Sequence, residues 1–254
     1  MKLKFIVPAL LAGLVAFTSC SKEDNKKEEP APTPKGGVKE VKYLDASDQK
    51  KWVYFSFEKG VVEVADPSTS NDWDIAFNRY HVRTNSGTSG KGQGGAYKTD
   101  KTNFDAVTIA PTAEEYKVDV EQQVSSFLGG KGGNQKISLS PVLEIGHGQG
   151  FWNMVKGSIL AGAAKKIPGY DALPEPAKQA ALAKMEEKIK PTLVHNNGWL
   201  TMDYKQGAQG PTYSYNNWVY VVKTAAGKYA KIQLTDYKNA KDQTGFITFK
   251  YLVF

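Results

Sequence analysis

The pattern at the C-terminal end restricts the fold most. Across residues 229–236, Ala230, Ile232 and Leu234 fall on one face, and Lys231, Gln233 and Thr235 on the other. Across 246–253, Ile247, Phe249, Tyr251 and Val253 alternate with Thr248, Lys250 and Leu252. Side chains two apart project from the same side of an extended chain, so both runs predict strands with one buried face. Ala225-Ala226-Gly227-Lys228 reads as the turn joining 218–224 to the strand at Tyr229, which makes the two a hairpin. A chain that ends this way is built on a sheet.

Upstream segments extend the same reading. Residues 51–57 are aromatic and β-branched, Gly60 leads into Val61-Val62-Glu63-Val64, and 73–80 alternates apolar with polar at several steps. Further strands are predicted at 106–109 and 116–120, with turn residues between runs, as in an antiparallel protein. Between 152 and 191 the composition shifts to Ala and Lys. Val155, Ile159 and Ala163 fall at helical spacing, and Pro168-Gly169 ends that segment. A second helix is expected to begin near Pro174 and stop at Pro191, with Leu182, Met185 and Ile189 as its apolar stripe and Glu186 with Lys190 as an i,i+4 pair. The expected fold is mainly β: an antiparallel all-β scaffold with an inserted helical hairpin at about 152–191, an add-on without which the scaffold still folds.

The N-terminus reads as an address. Lys2 and Lys4 precede a thirteen-residue apolar run, Phe5 to Phe17, too short to cross a hydrocarbon core of about 30 Å. Phe17-Thr18-Ser19-Cys20 resembles a lipobox, so 1–19 is a signal peptide and Cys20 a lipidation site. As the only cysteine, Cys20 also excludes an intramolecular disulfide framework and leaves none for nucleophilic catalysis. Ser21-Lys22-Glu23-Asp24 resembles the signal that sends some lipoproteins to the outer face of the outer membrane, and otherwise reads as a solvated charge run. Residues 20–37 form a charged, then Pro-rich, then Gly-Gly spacer, and the folded part, 38–254, comes after it.

Few signals point to chemistry. The net charge of +7 includes Lys2 and Lys4, and the remainder is too diffuse for a nucleic-acid-binding face. HExxH, CxxC, GxSxG and phosphate-loop patterns are absent, so the chain does not read as an enzyme. Ser89-Gly90-Lys91-Gly92-Gln93-Gly94-Gly95 is either an anion cradle or a long loop needing positive φ.

Residues 73–87, followed by 89–96, closely resemble the HmuY family of haem-binding outer-membrane lipoproteins. Trp52 to Phe57, Gly198-Trp199-Leu200, Gly210-Pro211-Thr212-Tyr213 and Ala230 to Phe249 continue the likeness in the same order. The resemblance implies an all-β fold with a cleft for one b-type haem, the iron held by His or Met. It also implies a haemophore-like role: taking haem from host haem-carrying proteins and passing it to a TonB-dependent receptor, on an outer-membrane lipoprotein facing the exterior. The alternative is a protein- or glycan-binding surface lipoprotein whose helical hairpin fills the cleft.

One ligand position implied by the family falls in Gly129-Gly130-Lys131-Gly132-Gly133-Asn134-Gln135, which offers no His or Met. The other falls at Tyr204 counting from Gly198, or at Gln206 counting back from Gly210, with Met202 close by. The candidate haem ligands are therefore Tyr204 or Met202, and His147 or Met154 beside the helical insert. His147 lies between two glycines and reads as accessible and flexible, His195 as a turn residue, and His81 as structural within a strand. Both methionines otherwise read as apolar packing. Cys20→Ala is expected to release the protein from membranes, as fractionation will show. Replacing Lys22, Glu23 and Asp24 with Ala should leave it anchored but shielded from protease added to whole cells.

Overall fold

The two alternating C-terminal runs form adjacent strands at the middle of a sheet. The computed structural model describes residues 36–112, 115–124 and 135–254, with the backbone alone of 123, 124 and 135. The expected signal peptide, Cys20 and the Lys22-Glu23-Asp24 run lie outside the described residues, as do 129–134 of the second Gly-rich stretch. The described strands are β1 (Lys39–Asp45), β2 (Val53–Ser56), β3 (Gly60–Val62), β4 (Ile75–Asn78), β5 (His81–Thr84), β6 (Gly95–Lys98), β7 (Val120–Val124), β8 (Gln135–Leu139) and β9 (Ile145–His147). Two helices come next, α1 (Gln149–Ala164) and α2 (Glu175–Leu193). The chain continues with β10 (Leu200–Asp203), β11 (Thr212–Tyr215), β12 (Tyr220–Lys223), β13 (Tyr229–Lys238) and β14 (Thr244–Val253).

One sheet runs β1-β14-β13-β12-β6 and a second β3-β2-β4-β5, with antiparallel neighbours throughout. A smaller sheet runs β11-β10-β9, and β7 pairs with β8. The expected mainly antiparallel β architecture with a helical hairpin is what the structure shows. The two large sheets contribute to one apolar core. Ala230, Ile232 and Leu234 of β13 and Ile247, Phe249 and Tyr251 of β14 join Phe55, Ile75 and Phe77 of the second sheet there. Phe55 meets Phe249 edge-on at 5.2 Å between ring centroids. Each such buried side chain stabilises the fold by about 1.5–3 kcal/mol.

The polar face of β13 is not solvated. Lys231 and Gln233 are buried because residues 99–110 cross over them. Lys231 Nζ donates to the Phe104 and Val107 carbonyls, and Gln233 Nε2 to those of Thr102 and Asn217. That covering segment is not the strand expected at 106–109. Asn103 accepts from the Asp105 N–H and starts a short 3₁₀ turn, Phe104–Ala106, and Phe104 and Val107 then pack on Val219, Val221 and Leu252 in a second core. Likewise only Lys117, bridged to Ala96, and Val120 of the 116–120 run are extended in pairing.

The loop at 89–95 turns its N–H groups inward. Gly92 donates to Asn85 Oδ1 and Gly94 to the Asn85 carbonyl, each at 3.0 Å. These N–H groups are thus satisfied within the chain. The loop is tied further by Asp119, a buried carboxylate that accepts from Thr84 N–H, Thr84 Oγ1 and Ser89 Oγ at 2.6–2.8 Å. Burial, opposed by these donors, pushes its carboxyl up to about 6, so it is mostly ionised at neutral pH.

The helices begin and end beyond the expected 152–191. Pro191 lies in the last turn of α2 and does not stop it, since a proline there removes a single backbone bond. Glu186 does not serve the expected pair with Lys190: its Oε1 accepts from Trp152 Nε1 at 2.9 Å and ties α2 to α1. Nor is the hairpin merely appended. Phe151, Trp152 and Val155 are buried, and Phe151 and Val155 pack on Met202 of β10. Among the described residues, no helix is long and apolar enough to cross a membrane.

Asp119→Asn is expected to destabilise the fold by about 2–3 kcal/mol, because an amide nitrogen would then face a donor it cannot accept from. Urea denaturation checks this.

Candidate functional site

β9 and β10 run parallel, with His147 opposite Met202 and Ile145 opposite Leu200. Their closeness depends on glycine. A Cβ on Gly146 would lie 1.8 Å from the His195 carbonyl oxygen, and one on Gly148 2.1 Å from Asp203 Cγ. The Gly146-His147-Gly148 run is therefore held between two neighbouring segments. The expectation of an accessible, flexible His147 is corrected: its glycines serve close approach.

Asp203 anchors the start of α1. Its Oδ1 accepts from the Phe151 N–H at 2.9 Å, supplying a remote side-chain cap to the first turn of the helix, where Gly148 has none to give. That turn brings Phe151 against His147, their rings stacked at 3.9 Å and 26°. His147 Nδ1 is buried without a hydrogen-bond partner. Burial holds the imidazole down at about 4; a hydrogen bond with the Leu193 backbone opposes this, His195 reinforces it, and Asp203 opposes it.

His147 and Phe151 line a cavity of about 610 Å³. Its apolar surface comes from Val82, Leu139, Leu143, Ile145 and Met202, and from Phe151, Ile159, Ile189 and Leu193 of the helical hairpin. All three histidines of the chain reach it. His195 Nδ1 accepts from the Asn197 N–H at 3.3 Å, and its Nε2 lies 4.0 Å from Glu144 Oε1. Burial raises the Glu144 carboxyl, while His195 and Lys98 draw it down. His81, from β5 in the four-stranded sheet, stacks edge-on with Tyr80 at 4.6 Å. Burial first, then the Arg79 charge, hold its imidazole at about 4. At neutral pH the rings of His81 and His147 are uncharged, the form in which imidazole ligates a metal.

The comparisons with known proteins decide the family. The HmuY family model matches residues 48–251, from the segment before β2 into β14. The chain belongs to the HmuY family. Solved structures similar to it include an HmuY-like protein from Bacteroides vulgatus, 22% identical over 88% of this chain and 97% of that one, at a TM-score of 0.47. The apo HmuY analogue of Tannerella forsythia is 20% identical over 89% and 98%, at 0.45. Apo PinO from Porphyromonas gingivitis is 16% identical over 87% and 99%, at 0.48. No curated protein matches the chain.

Of the expected ligands, this HmuY-family chain brings His147 and Met202 together as register partners facing the cavity. Tyr204 packs against Phe151 and Met202 from beside the cavity, with its phenol oxygen buried and unpartnered. Met154 stands half exposed on α1 and does not line the cavity. His81 and His195 read in the sequence as a strand and a turn residue, because neither a strand position nor a turn next to Asn196-Asn197 reveals what lies across a cleft. No group of three or more His, Cys, Asp or Glu is placed to hold a metal ion among the described residues.

Because His81 and His147 are held at about 4 against 6.5 when unfolded, the unfolded chain binds more protons between those values. Stability from these groups should be fully present above pH 6.5 and fall as the pH drops toward 4, by about 1–3 kcal/mol for each ring. Urea midpoints measured across that window should fall less steeply in His147→Phe, which keeps the ring stack. Comparing variant with parent removes the opposing slope of Asp119.

Proposed function

We propose that this chain is a surface lipoprotein that binds haem or a related tetrapyrrole in the 610 Å³ cavity. One observation carries the reading: three histidines and a methionine converge on a cavity of mixed aliphatic, aromatic and polar walls, and His147 Nδ1 is buried there with no partner. An unpaired nitrogen in a desolvated, neutral imidazole fits an iron ligand, and the aliphatic and aromatic walls fit a flat macrocycle. HmuY-family membership makes haem the leading ligand. The haem iron, when bound, supplies one or two coordination positions, and the protein's part is to hold the macrocycle rather than to transform it.

The register of β9 and β10 shapes the ligand set. His147 and Met202 stand side by side on one wall, so either would hold the iron from there. A second ligand would come from His81, which lines the cavity from a different sheet. Tyr204 supports Phe151 and Met202 from outside, and Met154 takes no part. The role we assign is carriage: uptake from host haem-carrying proteins and delivery to a TonB-dependent receptor, from an outer-membrane position set by Cys20. The hairpin walls the cavity and leaves it open, which favours a small apolar ligand over a protein or glycan partner.

Titrating the purified protein with haemin should produce a shifted Soret band. His147→Ala, Met202→Ala and His81→Ala are each expected to alter that band, and loss of the true ligands to cost about tenfold or more in affinity. Met154→Ala should leave it unchanged. A protein with no Soret shift in either oxidation state would overturn the haem reading.

A further inference from the structure

The two-residue turn between β4 and β5 carries a conformation that its sequence does not favour. Asn78 pairs with His81, leaving Arg79 and Tyr80 as the loop. Arg79 has φ 51 while Tyr80 is not in the positive-φ region, the pattern of a hairpin turn whose first central position is normally glycine. The turn is held there by Arg79 N–H, which donates to the Ala46 carbonyl at 2.8 Å. A left-handed arginine is strained, and such strain persists where a side chain is needed.

The surroundings of the side chain indicate its role. Arg79 is the one Lys or Arg among the described residues lining the cavity. Its Nη2 donates to Thr244 Oγ1 at 3.2 Å, and no carboxylate pairs with it among the described residues. The neighbouring groups that feel its charge are the neutral His81 ring and the phenols of Tyr80, Tyr213 and Tyr237, and burial keeps the phenols protonated. A guanidinium cannot shed its proton, and a partly buried one without a counter-ion is costly. Glu144, also on the lining, repels an acid group and so orients it toward Arg79.

We propose that Arg79 receives a carboxylate of the cavity's occupant, so that the site selects an apolar ligand bearing a free acid over the same ligand with the acid masked. This rests on the tetrapyrrole reading above and names the part of the ligand it recognises beyond the iron. A bidentate guanidinium–carboxylate pair is directional as well as strong, so it would orient the macrocycle in the cavity.

The test uses metal-free protoporphyrin IX and its dimethyl ester, so iron ligation plays no part, with binding read from quenching of tryptophan fluorescence. The parent is expected to bind the free acid about tenfold or more tighter than the ester. Arg79→Gln and Arg79→Gly should both lose that preference while keeping the parent's affinity for the ester. Arg79→Gly should also melt at or above the parent's temperature, since glycine takes positive φ without strain. Free-acid binding by Arg79→Gln as tight as the parent's would overturn the proposal and leave the tetrapyrrole reading standing. So would a lower melting temperature in Arg79→Gly with the free-acid preference intact, because the arginine would then be structural. A parent that binds neither porphyrin would overturn the tetrapyrrole reading itself, and this proposal with it.

Discussion

Parallel strands cannot be joined by a tight turn, and the rest of the site depends on that constraint. β9 and β10 lie side by side in parallel, so the chain must leave the end of β9, travel the length of the small sheet outside it, and return. The helical hairpin α1–α2 is that return path. The Ala- and Lys-rich stretch is therefore not an ornament on a β scaffold. It is the connection that makes the β9–β10 pairing possible, and its inner residues become one wall of the cavity. Glycines at 146 and 148 let the neighbouring segments close on β9, and Asp203 at the end of β10 caps the helix that begins just past it. A single carboxylate thereby links strand, helix and the Phe151–His147 stack.

Desolvation then sets the chemistry of the walls. His81 and His147 are far apart in the chain and belong to different sheets, yet burial drives both imidazoles to the same low value. Neither nearby charge nor hydrogen bonding is the leading cause. The cost of keeping a ring uncharged in the fold is small at neutral pH, where free imidazole is already mostly neutral. A cavity lined in this way suits a metal-bearing or flat guest, and Arg79 and Glu144 add charged groups to its lining.

The scaffold tolerates these local compromises because its core lies elsewhere. Ring contacts among Phe55, Phe77 and Phe249 hold the two large sheets together, and the second core under Leu252 and Phe254 seals the outer face of β12–β14. A cavity, a strained arginine and a buried imidazole nitrogen without a partner can therefore coexist with a stable fold.

Much of the architecture was legible in the chain alone. Alternation at 229–236 and 246–253 specified the central strands, Gly227 marked the turn into the first of them, and helical spacing at Val155, Ile159 and Ala163 marked the first helix, because each signal is local and recurs with a fixed period. The motif run 73–96 identified the family. Local periodicity could not say that Lys231 and Gln233 would be covered, since the segment that buries them is more than a hundred residues upstream. Nor could it show that 104–107 would close as a 3₁₀ turn, or that the glycines around His147 would clamp it rather than free it. Above all, the meeting of His81, His147, His195 and Met202 on one cavity is a product of sheet packing and a crossover, and no pattern within any one segment encodes it. Secondary structure arises from spacing along the chain, whereas a binding site is set by which distant segments exclude water together.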